Sequence, residues 1–292
     1  MIPRLDNRAA RRLFLDRHAL GEPPTGDAKG AALTELIERL GFVQLDSIST
    51  LERAHHMILF ARRQGYRPAF LDRPLERDRS LFEHWTHDAA IIPTSLRPHW
   101  QVKFARDAEK LRATYRNWRR DGFEARMETV LDRIRDHGPV CSAEVGTDER
   151  KGSGGWWDWH PSKTALEYLW RAGTLSICHR ENFRKYYDLS ERVFPEFAEA
   201  PMPDTQATLD WLCGAALDRL GFATSGELAA FWDIATPAEA KDWTRRGLAS
   251  GALIEVEVAG VDGTRRQVAR PDVLAAAAVS YTHLTLPTIY SV

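Results

Sequence analysis

The sequence predicts a mainly α-helical α+β protein in which one arrangement of helices and a β-hairpin occurs three times along the chain. Two observations lead to this prediction. Apolar residues recur at helical spacing in several segments that end at glycine. Short segments of alternating apolar and polar residues, which flank polar turns, follow these helices and are typical of β-hairpins.

The first arrangement begins near the N-terminus. Residues 7–20 and 31–40 have the spacing of amphipathic helices, and Gly41 closes the second of them. FVQLDSI follows directly and alternates like a short strand, and residues 81–93 (LFEHWTHDAAIIP) supply further strands. We therefore expect helices followed by a small antiparallel sheet.

The pattern recurs in the middle of the chain. Residues 124–136 form a predicted helix that ends at a Gly-Pro pair, and residues 162–172 form another that ends at Gly173. The segment TLSICHRENFRKYYDL then shows alternation on both sides of a turn that contains asparagine, which predicts a hairpin.

A third copy lies in the last part of the chain. Residues 205–220 form a predicted helix, and Thr236-Pro237 opens another, which we expect to extend to about residue 248. ALIEVEVAG and TRRQVAR then flank a Val-Asp-Gly turn. A recognition helix followed by a hairpin is the pattern of the winged helix-turn-helix. We predict three such tandem units, at residues 1–120, 121–200 and 201–278.

The last residues, 279–292 (VSYTHLTLPTIYSV), fit no element of the third unit. They resemble the peptide encoded when a sequencing adapter is translated at the end of an assembled fragment. We expect a non-native tail, with native sequence stopping near Ala278 and a C-terminal portion missing. The alternative is a genuine hydrophobic tail strand.

Composition excludes several classes of protein. No apolar run approaches the roughly 20 residues that cross a bilayer, and the N-terminus has no secretory signal. The three cysteines lie far apart without a CxxC, which favours a reducing cytoplasm and argues against zinc. The patterns G-x-S-x-G, H-E-x-x-H and the dinucleotide fingerprint do not occur. We therefore expect no cofactor and no metal.

The net charge of −1 hides a local basic stripe. Between residues 97 and 120 the cationic residues are Arg97, Lys103, Arg106, Lys110, Arg112, Arg116, Arg119 and Arg120. Aromatic residues are interleaved with them, and only Asp107 and Glu109 oppose their charge. Such a stripe is suited to DNA phosphates, and the alternative is a solvated helix face.

Gln44 and Asp46 are candidates for chemistry. They are two residues apart on a predicted strand, so both side chains lie on one face, opposite Val43 and Leu45. A carboxylate can activate a water molecule that a neighbouring amide orients. The motif is short, and an ordinary polar strand face is the alternative.

Two histidine clusters lie nearby in the sequence. His55 and His56 are adjacent, so on a helix they point in different directions and lack the spacing of metal ligands. His84 and Asp88 share one face if residues 84–88 form a strand, and ordinary packing of a hydrogen-bonded histidine is the alternative.

The segment RKGSGGWWDWHPSK is the most unusual in the chain. Its glycines allow close approach of the backbone to a ligand, and Lys151 and Lys163 frame its tryptophans, including Trp156 and Trp157. The start of a helix at Ser162 suits a phosphate. Alternatively, the tryptophans fill a gap between two domains.

Together these motifs resemble the bacterial AlkZ/YcaQ-like winged-helix DNA glycosylases. The resemblance rests on VQLDSI, RAHHMILFARR, LFEHWTHDAAIIP, KGSGGWWDWHPSK, LEYLWRAGTLSI and RENFRKYYDLSERVFPE, and it is dense over residues 8–195. It implies three tandem winged helices and a C-terminal β-rich portion around a DNA-binding channel.

The resemblance also implies a function. The family motif of Gln, an aliphatic residue, then Gln or Asp corresponds to Gln44-Leu45-Asp46. It implies a monofunctional DNA glycosylase of the branch that acts on N7-alkylguanine adducts and interstrand crosslinks. The DNA-binding residues that we predict are His55, His56, Lys103, Arg112, Arg116, Arg119, Arg120, Lys151, Trp156, Trp157 and Lys163.

We accordingly expect a nucleoid-associated, cytoplasmic monomer whose partner is double-stranded DNA with alkylated or crosslinked guanine. Two alternatives remain open at this point. One is a non-enzymatic winged-helix regulator, which would have no use for an inward carboxylate that repels phosphate. The other is a protein–protein module whose tryptophans form the interface.

Overall fold

The computed structural model describes residues 2–117, 122–147, 149, 160–198, 200–201, 203–260 and 263–278, with the backbone alone for residues 116, 117 and 278. These ranges form a mixed fold of helices and small sheets. None of the helices within them has the length and apolar character that crossing a bilayer requires. The expected non-native tail, 279–292, lies outside the described residues.

The N-terminal segment consists of a short strand, β1, and a helix, α1. They span Arg4–Leu5 and Asn7–Arg17. The prediction assigned this segment to the first repeat, whereas β1 pairs in parallel with a strand of the third repeat, with Leu5 opposite Val258. Leu13 of α1 lies in the same apolar cluster. The pairing covers a sheet edge that would otherwise leave backbone groups without partners.

The first repeat contains three helices and a three-stranded sheet. Its elements are α2 (Gly30–Leu40), β2 (Val43–Gln44), α3 (Ala54–Phe60), α4 (Asp72–Glu76), β3 (Leu81–Trp85) and β4 (Ala89–Pro93). The strand order is β2-β4-β3, so the first strand pairs with the last. Residues 86–88 form the turn of the hairpin rather than the continuous strand that would place His84 and Asp88 on one face.

The second repeat has the same strand order after a long connecting helix. Its elements are α5 (Arg97–Asn117), α6 (Phe123–His137), β5 (Val140–Cys141), α7 (Pro161–Arg171), β6 (Leu175–Glu181), β7 (Arg184–Leu189) and α8 (Ser190–Val193). The sheet has the order β5-β7-β6. Gly173 ends α7 with a φ of 80°, and a Cβ there would lie 2.4 Å from the ring of Phe104, so glycine is required for both reasons.

The third repeat completes the series. Its elements are α9 (Thr205–Leu220), β8 (Phe222–Ala223), α10 (Ser225–Trp232), α11 (Pro237–Ser250), β9 (Ile254–Gly260), β10 (Gly263–Ala269) and a final helix, α12 (Val273–Ala278). The sheet order is β1-β9-β10-β8. Capping boxes begin α10, between Thr224 and Glu227, and α11, between Thr236 and Glu239, which fixes both helix starts.

Helix α5 contributes buried side chains to two apolar cores while its other face stays exposed. Its first half contributes Trp100 and Phe104 to an apolar core shared with the first and third repeats. Its second half contributes Leu111 and Tyr115 to the core of the second repeat. One helix therefore joins the cores of all three repeats, and this fixes the position of the first repeat relative to the other two.

Candidate active site

The segment with the candidate catalytic pair is an exposed edge of the first sheet. Val43 and Leu45 are buried, Gln44 is exposed and Asp46 is half-buried, which confirms the predicted alternation. Regular pairing with β4 ends at Gln44, opposite Ala90, and Asp46 lies just beyond it. Both polar side chains are thereby directed away from the apolar core.

Gln44 has a second carboxylate as its neighbour. Its Nε2 lies 3.5 Å from Oδ2 of Asp88, at the limit of a hydrogen bond. Asp88 is exposed in the β3–β4 turn, and its Oδ1 accepts a hydrogen bond from the Ala89 N–H at 2.7 Å. The amide of Gln44 is thus oriented by a residue 44 positions away, which the local sequence pattern around Gln44 does not reveal.

Asp46 is held in place from two directions. Its backbone N–H donates to Nδ1 of His55 at 3.3 Å. Its Oδ1 accepts a hydrogen bond from the Ile48 N–H at 2.8 Å, which closes an Asx turn. Within the described residues, no hydrogen bond engages its Oδ2. The carboxylate therefore has a fixed orientation and one oxygen free to bind a water molecule.

His55 supports this site from beneath. The side chain is 3% exposed, and its ring lies 6.3 Å from and nearly parallel to that of Phe183, in the turn of the β6–β7 hairpin. Burial lowers the pKa of His55 to about 3. The positive charges of the neighbours His56 and Arg53 contribute to this lowered pKa, so the ring is neutral at physiological pH. Because Nδ1 accepts the Asp46 N–H, the ring proton is on Nε2.

This position does not suit the DNA contact that the sequence predicts for His55, because the ring is enclosed and uncharged. His56 is half-buried, and its Nδ1 lies 2.8 Å from the hydroxyl of Tyr66. Both histidines line a cavity of about 320 Å³, to which Asp72 and Glu76 contribute carboxylates. Neither Gln44 nor Asp46 lines this cavity, so it lies on the other side of the strand from the candidate pair.

Replacing His55 by Gln should make the stability of the fold less sensitive to acid. Between pH 6.5 and about 3 the unfolded chain binds a proton at His55 that the folded chain does not, so stability falls as pH falls through this window. Gln can still accept the Asp46 N–H but does not titrate. We expect the fall in Tm between about pH 7.5 and about pH 5 to be smaller in His55→Gln than in the wild type.

Exposed His137, at the end of α6, provides the control, and His137→Gln should retain the wild-type fall in Tm. An equal fall in His55→Gln and the wild type would contradict a neutral, buried His55.

The first part of the basic stripe on α5, up to Arg106, is engaged within the molecule. Lys103 is 2% exposed, and its Nζ lies 3.5 Å from Oδ1 of Asp107 and 3.1 Å from Oδ2 of Asp233. Arg106 forms a bidentate ion pair with Glu239, with Nη2 2.6 Å from Oε1. The charge of Lys103 therefore joins α5 to the third repeat, which argues against the DNA contact predicted for this residue.

The remaining residues of the stripe are placed differently. Arg112 is exposed, and its Nε lies 3.2 Å from Oε1 of Glu124. Arg116 lies in the last turn of α5, where the structure describes the backbone alone. Arg119 and Arg120 lie outside the described residues. Over residues 97–115, the part of the stripe whose side chains the structure describes, neither a solvated helix face nor a continuous cationic surface fits α5.

The start of α7, predicted to bind a phosphate, already holds a carboxylate. Glu149 accepts hydrogen bonds from the backbone N–H of Ser162 at 3.0 Å and from its hydroxyl at 2.7 Å. Its Oε1 lies 2.8 Å from Nε of Arg126. Burial alone would raise the pKa of Glu149, but the hydrogen bonds from Ser162, together with His160 and Arg126, lower it overall. This anion occupies the site that a phosphate would need.

Lys163 is half-buried in the first turn of α7. Lys151, Trp156 and Trp157 lie outside the described residues. His84 is a buried structural residue, because its Nδ1 accepts a hydrogen bond from Nε1 of Trp100 at 3.0 Å. Within the described parts of the chain, no group of three His, Cys, Asp or Glu residues is arranged to hold a metal ion.

The repeats and the Gln44–Asp46 segment are consistent with a class of DNA-processing enzymes. The family model "DNA glycosylase AlkZ-like" matches residues 37–284, which include the whole candidate site. The chain therefore belongs to the AlkZ-like DNA glycosylases, enzymes of DNA repair. The family match supports an enzyme over the non-enzymatic regulator and the protein–protein module that the sequence left open.

A solved structure has the same fold. The DNA glycosylase AlkZ of Streptomyces sahachiroi matches with a TM-score of 0.67 at 17% sequence identity, over 95% of this chain and 73% of that chain. At this identity the likeness establishes the shared fold, and the assignment of residues depends on the geometry described above.

Proposed function

We propose that this DNA glycosylase is monofunctional and hydrolyses the N-glycosidic bond of N7-alkylguanine, both as single adducts and in interstrand crosslinks. The observation that carries the proposal is the fixed carboxylate of Asp46 on an exposed strand end, with Gln44 on the same face. An accessible anion suits a cationic lesion, and an open edge suits a base that is still linked to the opposite strand.

The proposed hydrolysis breaks one bond of the lesion and forms one bond to water. The C1′–N9 bond breaks with its electron pair moving to the purine, whose positive charge is thereby neutralised, so no acid is needed. Asp46 stabilises the developing oxocarbenium ion and takes a proton from the attacking water, and Gln44 orients that water. The oxygen of the water forms the new bond to C1′, which leaves an abasic site.

We further propose that the three repeats are tandem winged-helix units. Each places a helix, a short strand, a further helix and a hairpin in the same order, and within each repeat the first strand pairs with the last. This recurrence supports the assignment, because winged helices bind duplex DNA through such elements. We also propose that the enzyme works as a monomer on chromosomal DNA in the nucleoid.

We propose as DNA contacts the residues predicted from the sequence other than the two that the structure buries. They are His56, Arg112, Arg116, Arg119, Arg120, Lys151, Trp156, Trp157 and Lys163. Lys103 and His55 are omitted because both are buried.

The proposal is tested by incubating the full chain with duplex DNA that carries 7-methylguanine, and separately with duplex crosslinked through N7 of guanine. We expect free 7-methylguanine, unhooked crosslinks, and strand breaks only after treatment with alkali. Strand cleavage without alkali would contradict monofunctional chemistry. Absence of base release with enzyme in excess would overturn the proposal, and release from single adducts alone would remove the crosslink from it.

A further inference from the structure

The loop between β2 and α3 presents apolar side chains to solvent directly beside the candidate carboxylate. Leu51 is 91% exposed and Ile48 is 70% exposed. Of the six exposed large apolar side chains among the described residues, four lie within residues 48–60. Single exposed apolar side chains are scattered over the surface of most proteins. A concentration of them in one short stretch of the chain indicates a site of interaction.

We infer that this loop, residues 47–52, is an apolar wedge whose Ile48 and Leu51 side chains insert into the base stack of duplex DNA next to the lesion. This inference rests on the proposed function, because it assigns the loop a role in presenting the damaged nucleotide to Asp46.

Distance along the chain supports a role at the lesion itself. Ile48 is two residues from Asp46 and Leu51 is five, so their Cα atoms lie at most about 7 Å and about 18 Å from that of Asp46. Consecutive bases are about 3.4 Å apart along one strand. A strand whose lesion sits at Asp46 therefore brings its neighbouring base steps within reach of these two side chains.

The composition of the loop also suits DNA. Ser47, Ser49 and Thr50 alternate with the two apolar residues, and no charge occurs before Glu52. Hydroxyl groups donate hydrogen bonds to phosphate oxygens. Isoleucine and leucine are among the side chains that proteins insert between base steps, where they partly unstack the bases and replace the lost contacts.

The loop is mechanically linked to the carboxylate. The Ile48 N–H that donates to Oδ1 of Asp46 belongs to the same residue whose side chain faces solvent. The backbone of the residue whose side chain would enter the base stack therefore also holds the Asp46 carboxylate through one hydrogen bond. The wedge and the proposed chemistry are thus parts of one rigid turn.

The test uses the full-length Ile48→Ala/Leu51→Ala variant. Both side chains are exposed, so the fold should be unaffected, and circular dichroism with Tm checks this. The matched control is Leu20→Ala, which removes an apolar side chain that is 41% exposed after α1. The first readout is fluorescence of 2-aminopurine placed next to a tetrahydrofuran abasic analogue in duplex DNA, which reports unstacking without any base release.

We expect the wild type and Leu20→Ala to raise the fluorescence and the double variant to leave it near the level of free duplex. In the second readout, single-turnover release of 7-methylguanine should fall about tenfold or more in the double variant on duplex DNA, because unstacking is no longer compensated. On a substrate in which the lesion is already unpaired in a bulge, the rate should differ little from the wild type.

Equal fluorescence and equal duplex rates in the double variant and the wild type would overturn the wedge. A rate that falls equally on duplex and bulged substrates would also overturn it, since the loop would then act only on Asp46. Absence of base release by the wild type would instead count against the proposed function, while the fluorescence readout would still test the wedge.

Discussion

Replacement of Asp46 by Asn should slow the release of 7-methylguanine by about 10²–10⁴-fold, the range that a positioned general base contributes. Asn keeps the size of the side chain, and its Oδ1 can still accept the Ile48 N–H that closes the turn. The change therefore removes the negative charge and the proton acceptor with little effect on the geometry. Single-turnover release from alkylated duplex measures the effect.

The affinity of Asp46→Asn for DNA should show that the substitution affects catalysis and not DNA binding. Affinity for duplex DNA should be unchanged or slightly higher, because a carboxylate that repels phosphates is lost. Asp136→Asn is the matched control, since Asp136 is an exposed carboxylate near the end of α6, outside the loop and the candidate site. It should release the base at the wild-type rate. Retention of wild-type release by Asp46→Asn would remove Asp46 from the mechanism.

The local features of this site could be predicted from the sequence because they depend on neighbours in the chain. The alternation in VQLDS places Val43 and Leu45 in the core and Gln44 outside it, as the structure has it. Gly41 and Gly173 end their helices at positive φ, and the predicted hairpins form. Each of these follows from backbone geometry and side-chain periodicity over a few residues.

The partners of charged residues could not be predicted because they come from distant parts of the chain. Lys103 and Arg106 form a basic stripe in the sequence, yet Asp233 and Glu239, about 130 positions away, engage them. The same holds for β1, whose pairing partner β9 begins some 250 positions later. A sequence shows which residues carry charge or pair as strands, and packing decides which partner neutralises them.

Arg180 in β6 and Glu83 in β3 form a buried ion pair near the candidate site. Among the ion pairs near that site, we expect the loss of this one to lower the stability of the fold most. Arg180 Nε and Nη2 lie 2.7 and 2.6 Å from the two oxygens of Glu83, and the side chain of Glu83 is 6% exposed. The guanidinium also lies 4.4 Å above the ring of Phe183, which covers His55. The pair therefore fastens the hairpin of the second repeat to the first repeat beneath Asp46.

Arg180→Met should lower the stability by about 3–5 kcal/mol, because the Glu83 carboxylate would remain buried without its partner. Glu83→Leu should act in the same direction by leaving the guanidinium unpaired. The double variant, Glu83→Leu/Arg180→Met, should be more stable than either single variant, since no buried charge remains and the apolar side chains can pack. Thermal unfolding of the full chain at neutral pH provides the comparison.

Arg135→Met is the control for loss of a surface ion pair. Arg135 contacts Glu128 and Asp132 on the exposed side of α6, where solvent screens the interaction, so its Tm should hardly change. If the double variant were no more stable than the two single variants, the pair would contribute through its specific hydrogen bonds rather than by mutual neutralisation. If Arg180→Met resembled Arg135→Met, the hairpin would not depend on this pair, and Phe183 would remain over His55 by packing alone.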